Sequence, residues 1–164
     1  MQTVRAASLT LEPQVAAHAG EMFAVLSDPA IYEHENAPPR SLEWLRERFA
    51  KLESRRSADG SEQWLNWVIR LPGSELAGYV QATVRADRSS AIACELASAY
   101  WDRGLAREAL EAMMAELAAR HGVRSFTAVL KRGNLRSLRL LERLGFKHAS
   151  HDVEFDELSM QRDL

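Results

Sequence analysis

The feature that most constrains this chain is a change of hydrophobic period in its middle. Trp64 to Leu71 and Leu76 to Arg85 are rich in aromatic and β-branched residues, and Pro72-Gly73-Ser74-Glu75 lies between them as a hairpin connector. A third strand-like run, Ala91 to Ala97, follows the turn Asp87-Arg88-Ser89-Ser90. Three strands in immediate succession predict an antiparallel meander. From Gly104 to Arg120 the period becomes helical, with Leu105, Ala106, Ala109, Leu110, Met113, Met114 and Leu117 on one wide face. His121-Gly122 ends this helix, and Val123 to Leu130 alternates as a strand again.

The flanks follow the same logic. Thr3 to Glu12 is compatible with a strand, and Pro13 opens a helical segment through Val15, Ala19, Met22 and Leu26 that Ser27-Asp28-Pro29 stops. Ile31 to Arg40 has no usable period and reads as a loop. Ser41 has the character of an N-cap for a second helix carrying Leu42, Leu45, Phe49 and Leu52. Asn134 can cap a last helix to Leu144, Gly145 suits the left-handed position after it, and Phe146 to Ser150 with Val153 to Met160 predict a closing hairpin. This order argues for an α/β (α+β) sandwich around a mixed sheet. With 46% apolar residues, a chain of 164 residues can form one sufficient core, so residues 1–164 are expected to be a single domain.

Composition excludes several classes of function. The formal net charge is −2, which provides no cationic excess for displacing counterions from a nucleic acid. The only cysteine, Cys94, cannot form an internal disulfide, and the five histidines are scattered rather than set at metal-ligand spacing, so no metal is expected. No apolar run approaches the roughly 20 residues that cross a bilayer, and the N-terminus lacks signal-peptide order. The expectation is a cytoplasmic protein with neither membrane nor nucleic-acid partners. Gly73 and Gly78 have the glycine spacing of a P-loop, but Tyr79-Val80 replaces the Lys-Ser/Thr pair and the segment enters a strand.

Chemistry concentrates at Trp101-Asp102-Arg103-Gly104-Leu105-Ala106-Arg107, where a strand gives way to the strongest helix. A helix start presents unpaired N–H groups and the positive end of the dipole, and Gly104 and Ala106 have no side chains large enough to keep a bulky anion away. A pyrophosphate suits such a place. About thirty residues later comes Asn134-Leu135-Arg136-Ser137, opening the helix that ends in Arg143-Leu144-Gly145-Phe146.

Taken together, "YWDRGLAREAL" and "NLRSLRLLERLGF" resemble the two cofactor signatures of GNAT acetyltransferases, and more narrowly those of the branch containing the ribosomal-protein alanine and serine N-acetyltransferases. The resemblance extends to "ASLTLEP", to Ser27-Asp28-Pro29 and to the strand pair, so it covers nearly the whole chain. It implies a mixed, mostly antiparallel central sheet with helices on both faces. It also implies acetyl-CoA as co-substrate and direct transfer of the acetyl group to a primary amine, either a protein N-terminus or a small molecule.

Residue by residue, the resemblance implies that the N–H groups of Arg103, Gly104, Leu105, Ala106 and Arg107 cradle the pyrophosphate, with the Arg103 and Arg107 side chains adding charge at the rim. The strand end, Glu95 with Leu96, Ala97 and Ser98, is expected to splay from its neighbour and offer main-chain groups to the pantetheine arm. Asn134 is expected at that arm, and Ser137 near the departing sulfur as proton donor. Glu95 is the first choice as base for the amine. Glu33, His34 and Glu35 are placed along the acceptor pocket, and Cys94 in the packing. The chain departs from the family pattern twice: Leu141 stands where many members carry a tyrosine acid, and Asp102 where a glycine is usual. Both departures keep open an alternative, a catalytically silent acyl-CoA-binding sensor. The acceptor's identity and the choice between monomer and homodimer are left open.

Overall fold

The computed structural model describes residues 1–34 and 36–164. The N-terminal run forms a hairpin rather than one strand: β1 (Val4–Arg5) pairs with β2 (Thr10–Pro13), and the Ala6 N–H reaches back to the Leu9 carbonyl. The segment after Pro13 is helical only in part, with a 3-10 turn over Ala16–His18 leading into α1 (Ala19–Val25). A second 3-10 turn, Pro29–Tyr32, occupies the beginning of the expected loop, capped by the Asp28 carboxylate on the Ala30 N–H. The helix α2 (Leu42–Leu52) starts as its cap predicts, the Ser41 hydroxyl accepting from the Trp44 N–H at 3.1 Å.

The meander is present as β3 (Gln63–Arg70), β4 (Leu76–Val84) and β5 (Ser89–Leu96), antiparallel throughout. The helix α3 (Leu105–His121) ends at left-handed Gly122 and returns the chain to β6 (Ser125–Lys131) beside and parallel to β5. Parallel neighbours need a crossover of this kind, and its handedness places α3 against one face of the sheet. The last elements are α4 (Leu135–Arg143), β7 (Lys147–Asp152) and β8 (Glu157–Asp163).

The sheet order is β1-β2-β3-β4-β5-β6-β8-β7, so the final strand inserts between β6 and β7. The closing hairpin is there, but its second strand is interior, reaches Asp163 rather than stopping at Met160, and leaves β7 at the edge. Burial accounts for this choice. β8 alternates with Leu158 and Met160 in the core, whereas every residue of β7 is exposed.

Two apolar layers hold the sheet. On one face Leu11, Trp67, Ile69, Val80, Phe126 and Met160 pack with the α3 stripe and with Leu141 and Leu144 of α4. On the other, Val68 and Leu76 pack with Ala19, Met22, Leu45 and Phe49 of α1 and α2. Full burial of each large side chain contributes about 1.5–3 kcal/mol. Helices thus cover both faces of a mixed, mostly antiparallel sheet, as expected.

Candidate active site

The parallel pairing of β5 with β6 is short. Only Ser89, Ser90 and Ala91 register with Ser125, Phe126 and Thr127, and beyond them the strands part toward Leu96 and Lys131. A cleft of about 830 Å³ opens there, walled by Ile92, Cys94 and Leu96 from β5, Ala128 and Leu130 from β6, and the starts of α3 and α4.

At the α3 wall, Gly104 is the cap residue at φ 77°, and the first helical hydrogen bond runs from the Glu108 N–H to the Gly104 carbonyl. The N–H groups of Leu105, Ala106 and Arg107 therefore have no main-chain partner, and all three residues line the cleft with Gly104. A Cβ at Gly104 would meet nothing within 4 Å, so the approach to these donors is open. Asp102 also lies in the left-handed region, at φ 59°. This conformation favours glycine, and aspartate is among the few other residues that adopt it readily. Of the two arginines expected at the rim, only Arg107 lines the cleft. Arg107 is paired with Glu111 at 3.0 Å, and Arg103 lies over the Tyr100 ring, outside the cleft lining.

The cationic wall comes instead from α4, whose Arg136, Arg139 and Arg143 all line the cleft. Their spacing of three and four residues, legible in the sequence, places them on one helix face. The Arg136 guanidinium stacks on the Trp101 ring at 3.5 Å, and the Trp101 indole N–H donates to the Leu96 carbonyl at 2.9 Å. Asn134 caps α4 through its side-chain oxygen, which accepts from the Ser137 N–H at 3.1 Å; both residues line the cleft, as does buried Leu141.

Along β5 the alternation of the ladder decides which main-chain groups face the gap. Ala97 N–H donates to Ala77 O and Arg85 N–H to Ser89 O, so odd-numbered residues of β5 bond to β4, while Cys94 and Leu96 turn their main chain toward β6. Ala97 and Ser98 are engaged within the protein: Ser98 N–H donates to Asp28 Oδ2 at 2.6 Å, and the two carbonyls accept from Tyr100 and Trp101. Neither residue lines the cleft. The main-chain groups turned toward the gap are therefore those of Cys94 and the Leu96 N–H, the Leu96 carbonyl being taken by the Trp101 indole.

Glu95 projects to the opposite face from Cys94, beside its cross-strand partner Tyr79. It borders the cleft and also a second cavity of about 260 Å³ under α2. Two phenols share its surroundings. Burial, then the charges of Glu95 and Asp28, push the Tyr32 hydroxyl up to about 12, and burial with Glu95 raises Tyr79 above the usual tyrosine range. Both stay protonated at neutral pH. Burial, reinforced by Glu95, also pushes the Cys94 thiol up to about 12, consistent with packing rather than nucleophilic chemistry.

Glu33 and His34 line the cleft mouth, whereas Glu35 lies outside the described residues. A Cβ at Gly133 would lie 3.9 Å from the His34 ring, so this loop approaches the β6–α4 turn across the mouth. Tyr32, Tyr79, Gln81 and Arg48, which also surround the site, were not legible as a group because they come from three separate segments, the Pro29–Tyr32 turn, α2 and β4.

Residues 8–147 match the model of the acetyltransferase (GNAT) domain. The chain belongs to the GNAT acetyltransferase family. No curated protein matches it by sequence. Among solved structures, the GNAT chain resembles ribosomal L7/L12 alpha-N-protein acetyltransferase, RimL, in complex with coenzyme A, with 17% identity, 99% of this chain and 98% of that one covered and a TM-score of 0.84. A spermidine N-acetyltransferase chimera from Vibrio cholerae and the human enzyme gives 18% identity, 96% coverage of each chain and 0.82. A GNAT-family acetyltransferase from Bacillus anthracis gives 15% identity, 98% coverage of each and 0.80. At these identities the likeness establishes a shared fold. Among the described residues no helix is long and apolar enough to span a membrane.

Proposed function

We propose that this chain is an acetyl-CoA-dependent N-acetyltransferase that acts on a primary amine. One observation carries the reading: the unpaired N–H groups at the start of α3 open into the same cleft as the gap between β5 and β6. An elongated ligand with an anionic middle and a thioester end fits that combination. Its pyrophosphate would meet Gly104, Leu105, Ala106 and Arg107, with Arg136, Arg139 and Arg143 supplying charge nearby, and its arm would follow Leu96 and Asn134.

Bound in this way, acetyl-CoA supplies an activated acetyl thioester. The protein's part is to bring a neutral amine to it and to manage two protons. Glu95 borders both cavities and is suited to accept the proton of an incoming ammonium group. Ser137, on the α4 side, is suited to give a proton toward the sulfur, a role that buried Leu141 cannot fill. Main-chain N–H groups of β5 at the gap would orient the acetyl oxygen. Glu33 and His34 at the mouth would meet the acceptor first.

The test is calorimetric titration with coenzyme A, together with thiol release from acetyl-CoA in the presence of peptide and small-molecule amines. Tight binding with amine-dependent thiol release is expected. Tight binding with no transfer to any amine would favour the silent sensor module.

A further inference from the structure

The second cavity has a chemistry of its own. It lies between α2, the segment after α1 and the sheet, and joins the main cleft at residues that border both: Asn36, Arg48, Tyr79, Gln81 and Glu95. Its inner wall includes Gln14, which is 6% exposed and whose side-chain nitrogen is buried with no hydrogen-bond partner among the described residues. A buried N–H group without an acceptor is a standing cost that an oxygen brought in by a ligand would remove. At the rim, the Arg48 guanidinium lies 5.6 Å from the centre of the Trp44 ring, which restricts its orientation. Leu26, Leu45 and Phe49 supply apolar walls, while Arg48 itself is exposed at the rim.

Glu95 and Arg48 both stand where the cavities meet, and Gln14 lines the second cavity alone; Glu95 suits an ammonium group, while Arg48 and Gln14 offer donors to an oxygen. We propose that this cavity is an acceptor subsite for a carboxylate, so that the amine substrate carries an anionic group as well as its reacting nitrogen. The inference rests on the reading of the chain as an amine acetyltransferase and narrows its substrate class. A polyamine fits less well, because its second ammonium would lie near the like-charged Arg48 guanidinium. The carboxylate can come from a free amino acid or from an acidic first residue of a peptide.

The test is binding to the protein saturated with coenzyme A, which needs no chemistry. Four probes are titrated by calorimetry: a short peptide amide beginning with glutamate, its counterpart beginning with glutamine, free glutamate, and spermidine. The glutamate peptide or free glutamate should bind at least about tenfold more tightly than the glutamine peptide and spermidine, and whichever of the two binds more tightly identifies the source. Arg48→Gln and Gln14→Leu, checked for unchanged coenzyme A affinity as a measure of folding, should remove that preference. In the wild type, the Gln14 side-chain amide resonance should shift on titration. Equal binding of the two peptides, preferred binding of spermidine, no binding of either carboxylate-bearing probe, or a preference that survives in both variants would overturn the subsite. A carboxylate preference without acetyl transfer would instead refute the catalytic reading and leave the subsite standing.

Discussion

The carboxylate of Asp28 accepts the N–H of Ser98 at 2.6 Å, tying the turn after α1 to the end of β5. The same side chain caps the Pro29–Tyr32 turn through the Ala30 N–H, at 3.0 Å. One aspartate thus joins the turn that leads to the cleft mouth to the strand that lines the cleft. Asp28→Ala leaves the Ser98 N–H without this acceptor and should cost about 1.5–3 kcal/mol, as for hydrogen bonds to charged groups. Urea unfolding would measure it.

The same contact predicts a pH dependence. The Ser98 side chain and N–H, with a smaller contribution from Ala30, hold the Asp28 carboxyl below the usual aspartate range. A carboxyl whose folded pKa lies below its unfolded one stabilises the protein above the unfolded value and loses that contribution as pH falls through the folded value. The stability difference between wild type and Asp28→Asn should therefore be full near neutrality and shrink below about pH 4, near the ordinary aspartate pKa. A difference that stayed constant down to pH 2 would show that the charge of Asp28 contributes nothing.

Gly104 separates binding from folding. Its φ of 77° makes any side chain costly by about 1–2 kcal/mol, yet a Cβ there has open space. Gly104→Ala should lose stability on that scale and keep most coenzyme A affinity. Gly104→Glu should abolish binding, because its carboxylate occupies the ground assigned to the pyrophosphate. Calorimetry on both variants distinguishes bulk and charge from backbone strain, and unchanged affinity in Gly104→Glu would remove the site assignment.

Ser137→Ala should lower turnover by at least about tenfold while leaving cofactor affinity nearly intact, since loss of a general acid costs rate rather than ground-state binding. Equal turnover would take Ser137 out of the mechanism. Cys94→Ala should retain turnover, and iodoacetamide should leave the wild type active at neutral pH, because the half-buried thiol stays protonated.

Gly78 is a structural prediction independent of function. A Cβ there would lie 1.9 Å from the Glu95 carbonyl oxygen, a main-chain atom that cannot turn aside. Gly78→Ala should therefore destabilise by about 1–3 kcal/mol, the usual range for overpacking, and displace Glu95. Thermal unfolding together with turnover would detect both effects.

Local signals in the sequence translated directly into structure. The Ser41 and Asn134 caps, the α3 stripe and the left-handed glycines at 122 and 145 are all present, because each depends on residues within one helical turn. The start of α3 was legible for the same reason: unpaired N–H groups are a property of a helix end. The N-terminal hairpin and the partial helix after Pro13 were less so, since short elements carry too few residues to show a period.

Tertiary structure decided the rest. Alternation alone does not say which strand of the last hairpin joins β6, and β8 takes that place because its inward side chains have a core to enter. How far β5 and β6 stay together, and hence where the cleft opens, follows from their register. Gln14, Arg48, Tyr79 and Glu95 come from distant stretches of chain and border one cavity only after the sheet and α2 have packed. Sequence by itself determined the helix ends and apolar faces, which are short-range consequences of backbone geometry. The meeting of a carboxylate with two donors across that cavity is a long-range consequence of burial, which only the folded chain expresses.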